Sequence, residues 1–457
     1  MSENRHSALL TDLYELTMAA AYFENNFRAK ASFELFIRSL PPERNYLLAA
    51  GLEQVLDYLE NLQFEPEDIQ FLRRQRVFEH VSDKFFEYLR SFRFTGEVWA
   101  IPEGTPVFQE EPLLRVTAPI IEGQVVETFL LSMMTFQTMI ASKAARVVRA
   151  AQGRGVIEFG TRRAHSPEAG TLAARAAYVG GCIGTSNVET GRRFGIPTFG
   201  TLAHSFVMAY EEEEEAFRRF EDIFPEHTTL LVDTYDTLAA IDKIIQAGLR
   251  PKAVRLDSGD VVELSRAVRQ RLDEAGLTAT EIFATSDLDE FVISDILARG
   301  AAVDAFGVGT SLAASKDAPT LGGVYKLVDV YTGERPSYRA KLSPGGKATY
   351  PGCKQVYRLK GADQRHAEDV IAHCTESYAE AEPLLACVMR DGKRLAASPK
   401  IEQVRERAQV ELAKLPEEYH RLDPVPPYPV RFSRELQRLL EDFRSRFAQP
   451  VTRRGVV

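Results

Sequence analysis

The sequence predicts an α/β fold centred on an irregular or incomplete barrel of about seven parallel strands. Three observations carry this. Strand-like and helix-like segments alternate without interruption from Gly155 to Gly309. Repeated βα units of this kind require a parallel sheet with right-handed crossovers. The strand-like segments end in polar residues, where folds of this class keep their chemistry. One such end, Val254-Arg255-Leu256-Asp257-Ser258-Gly259-Asp260, places a cation, two carboxylates, a hydroxyl and a glycine between an apolar strand and an amphipathic helix. An open doubly wound sheet is the alternative arrangement of the same units.

Taken in order, the elements begin with a helix over 11–23, capped by Thr11 or Asp12. Residues 32–39 alternate, with Phe33, Leu35 and Ile37 on one face, and predict a strand. Helices are expected over 51–62 and 71–89. Short strands follow around Val98, Val107 and Leu114, broken by Pro102, Pro106 and Pro112. A long, interruptible helical stretch runs over 122–151. The barrel strands are expected at 155–159, 181–184, 197–201, 229–233, 253–257, 281–286 and 304–309. The intervening helices are expected at 168–179, 187–194, 205–220, 237–246, 261–275 and 289–297. Beyond Leu321 the alternation stops. A strand at 324–330, a turn at Ser343-Pro344-Gly345-Gly346, a β segment at 350–359 and a charged helical tail from Lys400 complete the chain, with a Pro-rich break at 424–429. The acidic run Glu211 to Glu215 predicts a solvated helix face.

Bulk properties narrow the function. The chain has 457 residues, 45% hydrophobic and 26% charged, ordinary values for a soluble globular protein with a large core. A net charge of −9 argues against general nucleic-acid binding but permits a local cationic site for an anionic ligand. The cysteines, Cys182, Cys353, Cys374 and Cys387, form no CxxC, so neither a zinc ribbon nor a disulfide framework is expected. Met1 to Leu16 has no signal-peptide core and no run reaches membrane length, so no membrane association and a cytoplasmic location are expected. No GxGxxG or P-loop follows any strand.

The strand ends supply the candidate site. Arg162 and Arg163 follow the first strand, where a guanidinium can grip a carboxylate or phosphate; the alternative is a pair bridged to acids such as Glu158. Phe159 offers a flat face for a ring, or fills the core. Thr185 and Ser186, His204, Asp233, Ser286 and Asp287 end the next strands. His204 could serve as base, phosphate contact or phosphate acceptor. Asp257 and Asp260 could hold Mg²⁺ or sugar hydroxyls, or simply cap a helix. Gly309 and Thr310, in Gly307-Val308-Gly309-Thr310-Ser311, leave room for a phosphate against the backbone.

These residues together resemble the nicotinate phosphoribosyltransferase family. The segments are Thr11-Asp12-Leu13-Tyr14-Glu15-Leu16-Thr17-Met18, Phe159-Gly160-Thr161-Arg162-Arg163, Gly200 to Met208, Arg255 to Asp260, Phe306 to Leu312 and Pro351-Gly352-Cys353-Lys354-Gln355-Val356-Tyr357-Arg358. They occur in the family's order from about Leu10 to about Arg358. The resemblance implies a type II phosphoribosyltransferase fold: an α/β domain over 1–120, completed by part of 325–457, packed on an α/β barrel over 121–324, with a C-terminal segment over 325–457 that is β-rich and then helical. It implies that nicotinate and phosphoribosyl pyrophosphate give nicotinate mononucleotide and pyrophosphate, with ATP hydrolysis coupled through phosphorylated His204 and Mg²⁺ as cofactor. By position, Arg162 would contact the nicotinate carboxylate and Phe159 would stack on the pyridine. Tyr14 would complete the partner's site in a homodimer. Arg255 and Asp257 would hold the phosphoribosyl donor, Asp287 its ribose, and Gly309 with Thr310 its 5′-phosphate. Ser186 matches an aspartate of the related nicotinamide enzyme; a neutral donor there favours the acid over the amide. The rivals are a nicotinamide or quinolinate phosphoribosyltransferase, a barrel lyase and a non-catalytic relative. No lysine stands at the strand ends to serve a Schiff-base lyase.

Overall fold

In the computed structural model, which describes residues 7–333, 335–342 and 348–448, the chain builds two large sheets joined by one long helix. The first sheet has seven antiparallel strands in the order Arg335–Tyr338, Gly323–Thr332, Lys30–Ile37, Pro112–Pro119, Glu97–Ala100, Ala386–Arg390 and Lys393–Arg394. N-terminal and post-barrel segments are therefore woven into one layer. Lys30–Ile37 is central and buried on both faces, not one. Phe33, Leu35 and Ile37 enter the main core. On the opposite face, Glu34 binds the Lys354 ammonium at 2.8 Å. A polar residue alternating with apolar ones thus marks a buried ion pair here. A smaller sheet orders Glu382–Pro383, Lys354–Lys360, His366–His373 and Val430–Phe432.

The second large sheet is the predicted barrel, parallel throughout, in the order Gly184–Thr185, Gly155–Glu158, Ala305–Val308, Glu281–Ala284, Ala253–Leu256 and Thr229–Leu231. The expected seventh strand, 197–201, is reduced to a bridge between Thr185 and Thr198. Pro197 has no N–H to donate, which limits its ladder. The segment still spans the gap: Thr185 N–H donates to the Pro197 carbonyl at 3.1 Å, and Leu202 N–H reaches the Thr229 carbonyl at 3.4 Å. Gly184 permits the approach, since a Cβ there would lie 2.3 Å from the Pro197 oxygen. The barrel is incomplete, as the sequence predicts, with the gap spanned by a few backbone bonds in place of a full ladder.

Five of the barrel helices start where a side chain takes an orphan N–H. Ser166, Asn187, Asp236, Asp260 and Asp289 all cap in this way. The single helix expected over 205–220 is two, His204–Met208 and Glu213–Ile223. The acidic run restarts the helix, because carboxylates favour a first turn. Its expected solvated face is incomplete: Glu213 is buried and pairs with Lys243 at 3.1 Å. The helix expected over 71–89 is likewise broken, into Pro66–Arg73, a 3₁₀ turn at Arg76–Phe78, and Asp83–Arg90. Glu127–Ala150 is the spine between the two large sheets; its Ser142 hydroxyl accepts the Leu48 N–H at 2.8 Å. The predicted turn at 343–346 lies outside the described residues. No described helix is long and apolar enough to cross a membrane.

Candidate active site

The parallel strands carry their polar ends to one mouth. There Phe159, Arg162, Arg255 and Asp257 line a cavity of about 220 Å³. Asp287, Gly309 and Thr310 line the same cavity. These seven positions come from four strand ends spread over more than 150 residues of chain, and the barrel brings them together.

Arg255 is the fixed point. It is 9% exposed, and all three guanidinium nitrogens are used. Nε donates to Thr285 Oγ1 at 2.8 Å, Nη1 to Thr201 Oγ1 at 2.9 Å and Nη2 to Asp257 Oδ1 at 2.7 Å. Asp257 also accepts from the Thr285 hydroxyl. Burial works against its ionisation, but the Thr285 hydroxyl and Arg255 outweigh it and hold the carboxyl below the usual range. Asp233 holds the turn beneath, accepting from the Ser258 hydroxyl at 2.6 Å and from Asp257 N–H at 3.2 Å. Gly259, at φ +82°, makes this turn. His204 stands on the far side of Asp257: Nε2 lies 4.0 Å from Asp257 Oδ2 and Nδ1 lies 3.2 Å from Thr234 Oγ1.

Phe159 is half-buried and meets Phe283 edge to face at 5.5 Å. Gly307 makes room for it, since a Cβ there would sit 3.0 Å from the ring and 2.7 Å from Thr285. Arg162 and Arg163 lie in the short 3₁₀ turn Thr161–Arg163 and are exposed. Among the described residues neither has an ion-pair partner. Glu158 does not bridge to them; it accepts from Gly160 N–H and from Thr185 Oγ1. Two exposed guanidiniums, one pinned guanidinium and two carboxylates line this cavity, and the arginines suit it to an anionic ligand.

The sequence carries the same signature. Residues 9–135 match the model described as the nicotinate phosphoribosyltransferase (NAPRTase) N-terminal domain, and 373–440 match its C-terminal domain. Between them, 140–318 match the quinolinate phosphoribosyl transferase C-terminal domain. A nicotinate phosphoribosyltransferase of Mycobacterium tuberculosis is 47% identical over 434 residues, covering 93% of this chain and 91% of that protein. One from Bacillus subtilis is 39% identical over 460 residues, covering 94% and 93%. The chain belongs to the nicotinate phosphoribosyltransferase family. The crystal structure of human nicotinic acid phosphoribosyltransferase superposes with a TM-score of 0.83 at 29% identity, covering 94% of this chain and 99% of that one. Family membership excludes the lyase rival.

Four predicted residues of this family member are not in the cavity lining: His204, across from Asp257, and Asp260, Ser186 and Tyr14. Asp260 does not line the cavity. Its Oδ1 caps the helix Val261–Glu274 through Val262 and Glu263 N–H, the capping alternative the sequence offers for it, and its Oδ2 faces Arg299 at 3.3 Å. Among the described residues no group of three or more His, Cys, Asp or Glu is arranged to hold a metal. Ser186 is exposed and not part of the cavity lining; its N–H donates at 2.9 Å to the carbonyl of Glu158, the residue before Phe159. Tyr14 is on the helix Leu13–Glu24, 48% exposed beside exposed Leu10 and Leu13. Burial and Glu127 push its phenol well above the ordinary value. The hydroxyls of Thr201, Thr234 and Thr285 were not singled out by sequence reasoning. Their one signal was adjacency to a strand end, which Thr285 shares with Ser286.

Proposed function

We infer that this chain joins nicotinate to phosphoribosyl pyrophosphate, releasing pyrophosphate and nicotinate mononucleotide for NAD salvage in the cytoplasm. The observation that carries the assignment is the unpaired Arg162 at the rim of a cavity whose floor is the locked Arg255, Asp257 and Thr285 array. A free guanidinium grips the pyridine carboxylate, and Phe159 supplies a face for the ring. The pyridine nitrogen is the nucleophile, so no protein base is required. The protein holds that nitrogen in line with the anomeric carbon. As the bond to pyrophosphate breaks, positive charge grows on the ribose and negative charge on the leaving group. Arg255, immobile at the start, meets the latter without reorganising. Asp257 faces the sugar, Asp287 takes its hydroxyls, and Gly309 with Thr310 receive the 5′-phosphate.

Mg²⁺ fits here through one protein carboxylate and the donor's own phosphates, as this ion commonly binds. Asp257 would hold it; bound, it neutralises phosphate charge. His204 is the phosphate acceptor for ATP. A Thr234 hydroxyl accepting from Nδ1–H leaves the Nε2 lone pair free to attack. Tyr14, with Leu10 and Leu13, closes the site of a second copy in a homodimer.

The test is incubation of the purified chain with ATP, Mg²⁺, the phosphoribosyl donor and nicotinate, nicotinamide or quinolinate in turn. The mononucleotide and any phosphoprotein are followed. The expected result is nicotinate mononucleotide and an acid-labile, base-stable phosphoprotein. Turnover of either other pyridine in preference to nicotinate would overturn the assignment.

A further inference from the structure

We propose that Glu158 is a positioning residue for the pyridine-carboxylate end of the site, tying the turn that bears Arg162 to the turn that bears Ser186. The proposal rests on the nicotinate reading above. Glu158 is fully buried at the end of a barrel strand. Among the described residues no cation pairs with it, so charge neutralisation does not explain it. Its partners do. One carboxylate oxygen accepts Gly160 N–H, at the head of the Thr161–Arg163 turn. The other accepts the Thr185 hydroxyl at 2.6 Å, and that hydroxyl in turn accepts Asn187 N–H at 3.0 Å. The backbone carbonyl of Glu158 takes Ser186 N–H at 2.9 Å.

A third segment meets at the same point. A Cβ on Gly160 would lie 2.9 Å from Glu158 Oε1, 2.7 Å from the Gly309 carbonyl and 2.3 Å from Ala313 Cβ. The turn is therefore held between the carboxylate and the loop assigned to the 5′-phosphate. Arg162 is exposed and, among the described residues, has no side-chain partner, so its placement depends on this turn. Burial raises the Glu158 carboxyl, and the Thr185 and Gly160 bonds only partly offset this.

The experiment is steady-state kinetics on the full chain, varying each substrate, with amide hydrogen exchange on the same samples. Glu158→Leu is expected to raise the KM for nicotinate about tenfold or more, with kcat and the KM for the phosphoribosyl donor within about threefold. Glu158→Gln keeps an acceptor for Gly160 and replaces the bond received from Thr185 by one donated to its hydroxyl oxygen, and is expected to stay within about threefold of the parent on all three. Peptides spanning 159–164 and 185–190 should lose protection in the Leu variant only. If Glu158→Leu does not fold, Thr185→Val carries the same test with a smaller rise. An unchanged nicotinate KM, an equal loss for both substrates, or failure of Gln to rescue would overturn the proposal. A parent chain inert toward nicotinate would instead sink the functional assignment, while exchange would still decide whether Glu158 orders the two turns.

Discussion

Two regions of this molecule hold cations and carboxylates together, and they treat them in opposite ways. Beneath the spine helix, Lys143 lies 2.6 Å from Glu290 and 2.8 Å from Asp317. Arg146 completes Glu290 at 2.9 Å, and Arg44 completes Asp317 at 2.6 Å. Four of these five side chains are 5% exposed or less. Burial opposes ionisation of Asp317, but Arg44 and Lys143 hold its carboxyl far below the usual range. At the barrel mouth, by contrast, Arg162 and Arg163 are exposed and unpaired, and His204 stands 44% exposed at ion-pair limit from Asp257. Desolvated charge must be matched locally or it unfolds the protein. Solvated charge can stay unmatched at little cost, and it is then available to a substrate.

The comparison is broken most forcefully at the buried end. Lys143→Met removes the cation that Glu290 and Asp317 share, leaving each with one arginine, and is expected to cost about 1.5–3 kcal/mol of unfolding free energy. Denaturant titration measures this; a loss below about 1 kcal/mol would mean that the network is not stabilising. At the mouth the order reverses. Arg162→Ala should lower kcat/KM for nicotinate about a hundredfold while moving stability by no more than about 0.5 kcal/mol. A variant that lost stability and kept activity would place Arg162 among the structural charges. His204→Ala should abolish the phosphoprotein and the ATP dependence of turnover; full coupling in that variant would contradict the phosphoacceptor role. Ser186→Asp sharpens the picture further. A carboxylate in that exposed turn should cut nicotinate use far more than nicotinamide use, and equal losses would refute a part in selectivity.

Much of the mouth was legible in sequence because barrel topology maps strand ends onto one place. Once the alternation from Gly155 to Gly309 is recognised, Arg162, Arg255, Asp257, Asp287 and Gly309 must converge. What was not legible is which polar residue is spent on backbone and which remains free. Asp257 and Asp260 are three apart on one turn. One meets the locked Arg255, while the other caps a helix, because the chain reverses at Gly259 between them. Glu213 reads as a surface acid and is buried against Lys243, while Glu158, offered by the sequence as a bridge to the arginines, is buried and bonded to Thr185 across the strand. Lys30–Ile37 alternates like a half-exposed strand but is buried from Ala31 onward, since Lys354, 320 residues on, meets Glu34 on its second face. The threonines that pin Arg255 carry no motif; their value comes from hydroxyl directions that only the folded barrel defines.

Glu15 tests the comparison where it is most finely balanced, as a buried acid with no cation beside it. Its residue is fully buried. The Thr11 hydroxyl lies against Glu15 and also 2.9 Å from the Val125 carbonyl. The Thr128 hydroxyl lies 2.8 Å from both Glu15 and Asp12. Each hydroxyl has one proton and faces two acceptors, so the cluster is complete only when a carboxyl brings its own. Burial, which the two threonine bonds only partly offset and to which Glu127 adds, lifts the Glu15 carboxyl from 4.5 to about 7. A raised folded-state value makes its contribution to stability full below the ordinary carboxylate range and lost as pH rises through about 7. Glu15→Gln mimics the neutral form at every pH. Its melting temperature should therefore fall less than the parent's between about pH 5 and pH 8. His373 and His420, whose values are lowered by burial, contribute the opposite slope toward acid in both proteins, so the difference between parent and variant isolates Glu15. Parallel pH profiles would show that Glu15 is ionised in the fold, and that a buried carboxylate here is held by hydroxyls alone.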